Sequence, residues 1–158
     1  MRKSILLIIN IILISFLIGC TNNKITENKK IDESESEDVI KMDNNLELKI
    51  QNNILDVTWY SNESVDALKK LAKDTLTINM NKYGGFEQVG SIGKTLPSND
   101  INITTNPGDI VLYSSNQIVI FYGSNTWAYT KLGHINLSKD ELEKLLSNSN
   151  VTITFTLK

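Results

Sequence analysis

Apolar residues are spread so unevenly along this chain that only the stretch from residue 46 onward can carry a core. Behind a short positive start, Arg2-Lys3, residues 5–18 form an apolar run interrupted by Asn10 and Ser15. Residues 21–45, TNNKITENKKIDESESEDVIKMDNN, hold no large apolar cluster and gather acids between Asp32 and Asp38. Such a segment cannot bury enough apolar area to offset the entropy lost on ordering it. The foldable part is therefore residues 46–158 of the 158, a length that suits one modest domain around a single core.

The apolar run is shorter than the roughly 20 residues a comfortable bilayer span needs. A positive start, a short greasy segment and a small residue before a cleavage point describe an export signal over residues 1–19. The closing tetrapeptide LIGC at 17–20 resembles a bacterial lipobox. That resemblance implies a diacylglyceryl thioether on Cys20, cleavage before it, and Cys20 as the new N-terminus. Two acyl chains, at about 0.8 kcal/mol per buried methylene, hold a protein stably on a membrane. The expected place is the cell membrane, lipid-anchored and facing outside the cytoplasm, with residues 20–45 as the lipidated start and a disordered polar tether. As a flexible coil the tether would reach roughly 25–30 Å.

Cys20 is the one cysteine, so the mature chain has no intrachain disulfide and no thiolate for a metal. Removing the leader takes two of the 16 basic residues and no acid, leaving 14 against 18 and a formal net charge of −4. A mildly acidic protein lacks the basic face that phosphate neutralisation needs, which excludes nucleic acid as a partner.

Within the domain the apolar pattern is mostly of period two. Residues 46–51 alternate and lead through Asn52-Asn53 to a second run at 54–60, which reads as a hairpin. Residues 62–74 are helical, with Val65, Leu68, Leu71 and Ala72 on one face and Asn62 or Ser64 as cap. A strand follows at 75–80, then a long loop-like region from 81 to about 100. Residues 109–113 and 117–122 form a second hairpin after the turn Asn106-Pro107-Gly108-Asp109. A strand at 127–132, a helix at 138–146 with a capping box (Ser138 and Glu141), and an alternating strand at 151–157 complete the chain. Hairpin-connected strands argue an antiparallel sheet. The first and last strands show no sacrificial edge, which favours a sheet closed on itself with a helix over each end.

The stretches YGGFEQVGSIGKTLPSND (83–100), TTNPGDIVLY (104–113), QIVIFYGSNTWAYTKLG (117–133) and VTITFTL (151–157) resemble the bacterial cyclophilin-like domain family, and the resemblance covers essentially residues 46–158. It implies a mainly β fold: a closed antiparallel β-barrel of cyclophilin-like type with two α-helices at the barrel ends. Some members neighbour, or are joined to, flavodoxin-type proteins, which makes a redox accessory one alternative role. Cyclophilins themselves rotate X–Pro bonds with an arginine that draws electron density from the amide nitrogen, which makes a prolyl isomerase of exported proteins another. The only arginine here is Arg2, in the leader. Lys94 offers a positive charge without the planar fork of a guanidinium.

Residues 90–95, GSIGKT, imitate the end of a phosphate-binding loop. The glycine such a loop needs five positions before Gly93 is replaced by Gln88, and Leu96-Pro97-Ser98-Asn99-Asp100 is turn-forming rather than the helix whose N-terminus would face the phosphates. No nucleotide is expected. Gly84, Gly85, Gly90 and Gly93 are read instead as bends in a crossover over the barrel mouth, pinned by Pro97 and anchored in the core by Phe86. His134 is the sole histidine and is read as a rim residue; no metal, cofactor or catalytic residue is expected. Asp109 is read as a turn residue, although Glu87, Asp100 and Asp109 are carboxylates that could pair. What remains is a binding surface of aromatic and amide character: Tyr83, Phe86, Tyr122, Asn125, Trp127 and Tyr129, joined by Glu87, Lys94 and Asn99, for a small ligand or a polypeptide. Alternation along QIVIFYG and NTWAYT sends one set of residues into the barrel and the other outward, and leaves open which set is which.

Overall fold

The computed structural model describes residues 45–158. The leader at 1–19, the lipidation site Cys20 and all but the last residue of the 20–45 tether lie outside the described residues.

Ten strands and two helices follow one another as β1 (Leu46–Ile50), β2 (Asn53–Leu55), β3 (Val57–Trp59), α1 (Glu63–Ala72), β4 (Leu76–Tyr83), β5 (Glu87–Ser91), β6 (Ile101–Thr104), β7 (Asp109–Tyr113), β8 (Gln117–Phe121), β9 (Thr126–Ile135), α2 (Lys139–Leu146) and β10 (Asn150–Leu157). The sheet runs β2-β1-β10-β4-β5-β8-β7-β9-β3, with β6 paired to the outer part of β9. All pairings are antiparallel.

Closure follows from connectivity. β2 and β3 stand at opposite ends of that order, yet Asp56 alone separates them in sequence. Consecutive Cα atoms are about 3.8 Å apart, so the two ends of the sheet must meet and the sheet must curl into a barrel. Side-chain bonds fasten the seam: the Trp59 indole N–H donates to the Leu46 carbonyl at 2.7 Å, and its ring leans on Phe155 with centroids 6.1 Å apart.

The interior is filled from alternate strand positions. Leu48, Ile50, Ile110, Leu112, Ile118, Ile120, Ile153 and Phe155 are fully buried there, and both helices add their apolar faces through Val65, Leu68 and Ala72 and through Leu142 and Leu146. The Asn62 carboxamide oxygen accepts from the Val65 amide at 2.9 Å to start α1. Ser138 and Glu141 bond reciprocally to start α2, and the Ser138 hydroxyl and amide hold the Glu141 carboxyl below its ordinary pKa. Among the described residues no helix is long and apolar enough to cross a membrane.

Three expectations change. The region from 81 to 100 is not one loop, because β4 runs on to Tyr83 and β5 pairs with both β4 and β8. The strand hid because its inward positions hold Gln88 and Gly90 rather than large apolar residues. Gly90 is no bend: a Cβ there would stand 2.5 Å from Ile78 Cγ2 and 2.9 Å from Met80 Cγ, so the glycine lets the side chains of β4 cross the strand. The tight bend is Gly84-Gly85, both at positive φ (58° and 78°). Next, the run 54–60 is two strands: β2 pairs β1 across the Gln51-Asn52 turn, whereas β3 pairs β9. A straight strand could not serve both ends of a closing sheet. Finally, β6 adds a strand just beyond the expected loop, where the sequence pattern assigns no element.

Candidate functional site

β7 and β8 are buried on both faces, as their nearly continuous apolar sequences require. Their inward residues join the barrel core. Their outward residues, Val111, Val119 and Phe121, form a second cluster with Tyr129, against which Phe86, Val89, Ile103 and Tyr113 pack. Above this outer cluster lies a cavity of roughly 380 Å³. Its walls come from Tyr83 on β4, Glu87 and Val89 on β5, Gln117 and Val119 on β8, Tyr113 on β7, and Asn125, Trp127 and Tyr129 on or just before β9. The cavity is therefore on the outer wall of the barrel rather than across its mouth.

Glu87 is the chemically unusual member. It opens β5, opposite Tyr83 on one neighbour and Phe121 on the other, and is only 5% exposed. Its Oε2 is buried without a hydrogen-bond partner. Burial disfavours the charged form, and the carboxyl is pushed from its ordinary 4.5 up to about 7. No lining residue carries a positive charge.

Tyr129 forms the side of the cavity. It is 4% exposed and meets Phe121 and Tyr113 edge-on, with centroids 5.7 and 5.9 Å away. Its phenol is pushed up by burial and then by the charge of Glu87, against a lowering hydrogen bond from Asn125. The Asn125 Nδ2 donates to the Tyr129 hydroxyl at 3.0 Å, while its Oδ1 accepts from the Thr126 amide at 2.8 Å. Buried Thr105 sets this asparagine: its amide and hydroxyl both donate to the Asn125 carbonyl, and its hydroxyl accepts from the Asn125 amide.

Five of the nine nominated residues therefore line one cavity: Tyr83, Glu87, Asn125, Trp127 and Tyr129. Phe86 lies beside them, stacked on Phe121 at 6.5 Å between centroids. Tyr122 faces the barrel interior, its hydroxyl buried and unpartnered. Lys94 is exposed on the segment after β5, which is pinned where the Ile92 and Leu96 amides bond to the Asn116 and Ser115 carbonyls. Asn99 lines a separate depression beside the start of α1. Val89, Tyr113, Gln117 and Val119 were missed. Knowing that Ile118 and Ile120 point inward would have found Gln117 and Val119 by alternation.

The other candidates take structural places. Gly90 and Ser91 end β5 and the next element after Thr95 is the strand β6, so the amides of GSIGKT do not open a helix N-terminus. His134 Nδ1 lies 2.8 Å from Asp109 Oδ1, and Asp109 Oδ2 accepts from the Asn106 amide at 2.8 Å. Asp109 is thus a turn residue that also orients the histidine. No described hydroxyl hydrogen-bonds to His134. Glu87, Asp100 and Asp109 do not pair: Asp100 instead accepts from the Thr130 hydroxyl at 2.5 Å. Among the described residues no group of three or more His, Cys, Asp or Glu converges as metal ligands.

A sequence model of the cyclophilin-like family matches residues 48–156. No curated protein matches the chain.

Proposed function

The chain belongs to the cyclophilin-like family, and from that premise we propose that it is a binding module rather than an isomerase: a lipid-anchored domain outside the cytoplasm whose outer-wall cavity receives a small amphipathic ligand or a polypeptide side chain. One observation carries this reading. A carboxyl group is sealed without a hydrogen-bond partner for Oε2 in a cavity walled by four aromatic residues. A buried carboxyl without a partner costs stability, and one placed in a cavity with a perturbed pKa marks a functional site. A cavity of this volume, mostly apolar with a few convergent polar groups, suits small-molecule recognition.

Rotation about an X–Pro bond in the cyclophilin manner needs a guanidinium beside the bound amide. Residues 46–158 contain no arginine, and Lys94 is not among the residues that wall the cavity. The leader, the LIGC tetrapeptide and the polar tether support anchoring through Cys20.

The test uses the full-length chain in non-ionic detergent. A protease-coupled proline-peptide assay is expected to show no acceleration over a heat-treated control, while small amphipathic probes change the emission of exposed Trp127. Clear acceleration would overturn the reading. For the anchor, Cys20→Ser is expected to abolish acyl labelling and release the protein from the membrane fraction.

A further inference from the structure

We propose that the outer-wall cavity recognises an organic cation, an alkylammonium or quaternary ammonium group, with Glu87 as its counter-ion. This names the ligand class of the same site and rests on the binding-module reading.

The argument begins with what the cavity lacks. Glu87 is almost wholly shielded, Oε2 has no hydrogen-bond partner, and no lining residue is basic. A buried carboxylate is tolerated when it is paired, so a cation arriving from solution completes the site. An anion would meet an uncompensated negative charge. A purely apolar ligand would exclude the last water from the carboxyl and offer it nothing in return.

The walls favour the same ligand. Tyr83, Tyr113, Trp127 and Tyr129 line the same cavity as Glu87, and aromatic rings attract cations electrostatically, most strongly where water is excluded. The rings are graded by depth: Tyr129 is 4% exposed, whereas Tyr83 and Trp127 are 67% and 57% exposed. The inner ring is fixed by Asn125 and by its edge contacts with Tyr113 and Phe121. The outer two present their rings to solvent at the cavity's edge.

Proton linkage follows. With the Glu87 carboxyl raised to about 7 by burial, the empty site is roughly half protonated at neutral pH, and a bound cation draws it to the carboxylate with release of a proton. The other titratable groups of the lining are Tyr83 on β4, Tyr113 on β7 and Tyr129 on β9. On the inner side of the wall stands Tyr122, on which the charge of Glu143 from α2 also acts. Phenols ionise near pH 10, so Glu87 is the lining group that changes charge between pH 5 and 8.

The deciding experiment titrates the full-length chain in non-ionic detergent with choline, with its neutral carbon isostere 3,3-dimethyl-1-butanol, and with 3,3-dimethylbutyrate, following tryptophan emission. Choline is expected to bind about tenfold or more tightly than the neutral isostere at pH 8. Its affinity is expected to fall roughly tenfold per pH unit below the Glu87 pKa. Glu87→Gln, whose fold is checked by circular dichroism, should erase most of the preference for choline over the isostere. Equal binding of choline and isostere, tighter binding of the butyrate, or an undiminished choline preference in E87Q would overturn the cation while leaving a binding module. Failure of all three probes to bind would overturn both.

Discussion

Glu87 and Gln88 are neighbours on one strand, both shielded from solvent, and they meet opposite surroundings. Gln88 points into the barrel, where its Nε2 donates to the Leu146 carbonyl at 2.6 Å and the Asn148 carbonyl at 2.7 Å while its Oε1 is buried without a partner. These carbonyls belong to the end of α2 and the residues after it, groups that a helix leaves without internal partners. Glu87 points to the outer wall, among aromatic rings, with Oε2 unsatisfied. The inner face uses its polar residue to tie a helix to the sheet. The outer face keeps one unpartnered in the wall of the cavity. On the proposed reading, folding and binding are divided between the two sides of the same strands.

That division can be broken most forcefully from within. Phe155 is fully buried in the interior cluster and supports the seam tryptophan. Phe155→Ala is expected to lower stability by about 3–5 kcal/mol in urea unfolding, the range for truncating a buried aromatic. A loss under about 1 kcal/mol, below what burial of such a side chain contributes, would show that the interior does not carry the fold.

Glu87→Gln should move stability in the other direction, by less. The folded carboxyl has its pKa near 7 against an ordinary 4.5. Between these values the native state keeps its proton while the unfolded chain has lost it. The native state is thus favoured below pH 4.5, and that advantage is lost as pH rises through 7. At pH 8 the buried charge is a net cost, so E87Q is expected to be more stable than the parent by about 2–3 kcal/mol, and equal to it at pH 4. Urea midpoints at the two pH values measure this. A variant weakened at pH 8 would mean that Glu87 has a structural partner and that the two faces are alike.

The two faces were also unequally legible in the sequence. Period-two alternation announced β1 and β10, and the capping residues Asn62, Ser138 and Glu141 announced both helices, because these signals are local. β5 stayed hidden because its inward positions carry Gln88 and Gly90, chosen by the end of α2 and by the side chains of Ile78 and Met80, partners remote in sequence. The site shows the same limit. Of the residues that line the cavity, Tyr83, Glu87, Asn125, Trp127 and Tyr129 stand out by their chemistry, and Tyr113, Gln117, Val89 and Val119 do not, because the phase of each strand is set by pairing across the barrel. Tyr122 and Lys94 carry comparable chemistry, and only the fold separates them from the cavity.

A smaller effect sharpens the contrast. Gln88→Leu keeps the volume and removes both bonds to the end of α2, leaving two carbonyls unpaired. The expected loss is about 2 kcal/mol, the same at pH 4 and pH 8, with choline affinity unchanged. Stability that varied with pH in Q88L would mean that the inner glutamine and the outer glutamate are energetically coupled through the strand.

The smallest expected effect lies at the seam. Trp59→Phe removes the indole donor to the Leu46 carbonyl and keeps an aromatic ring facing Phe155. β3 has one ladder neighbour, β9, so the indole is one of the few ties between the two ends of the sheet. One partly buried hydrogen bond contributes about 1 kcal/mol, and a loss of that size is expected in urea. Amide hydrogen exchange should rise locally, at Val57–Trp59 and Leu46–Ile50, and stay unchanged at Glu87–Ser91, four ladder pairings away from the seam through β10 and β4 or through β9 and β7. Acceleration spreading to β5 would show that closure of the barrel also holds the outer wall in shape, and the separation of folding from binding would then fail at its hinge.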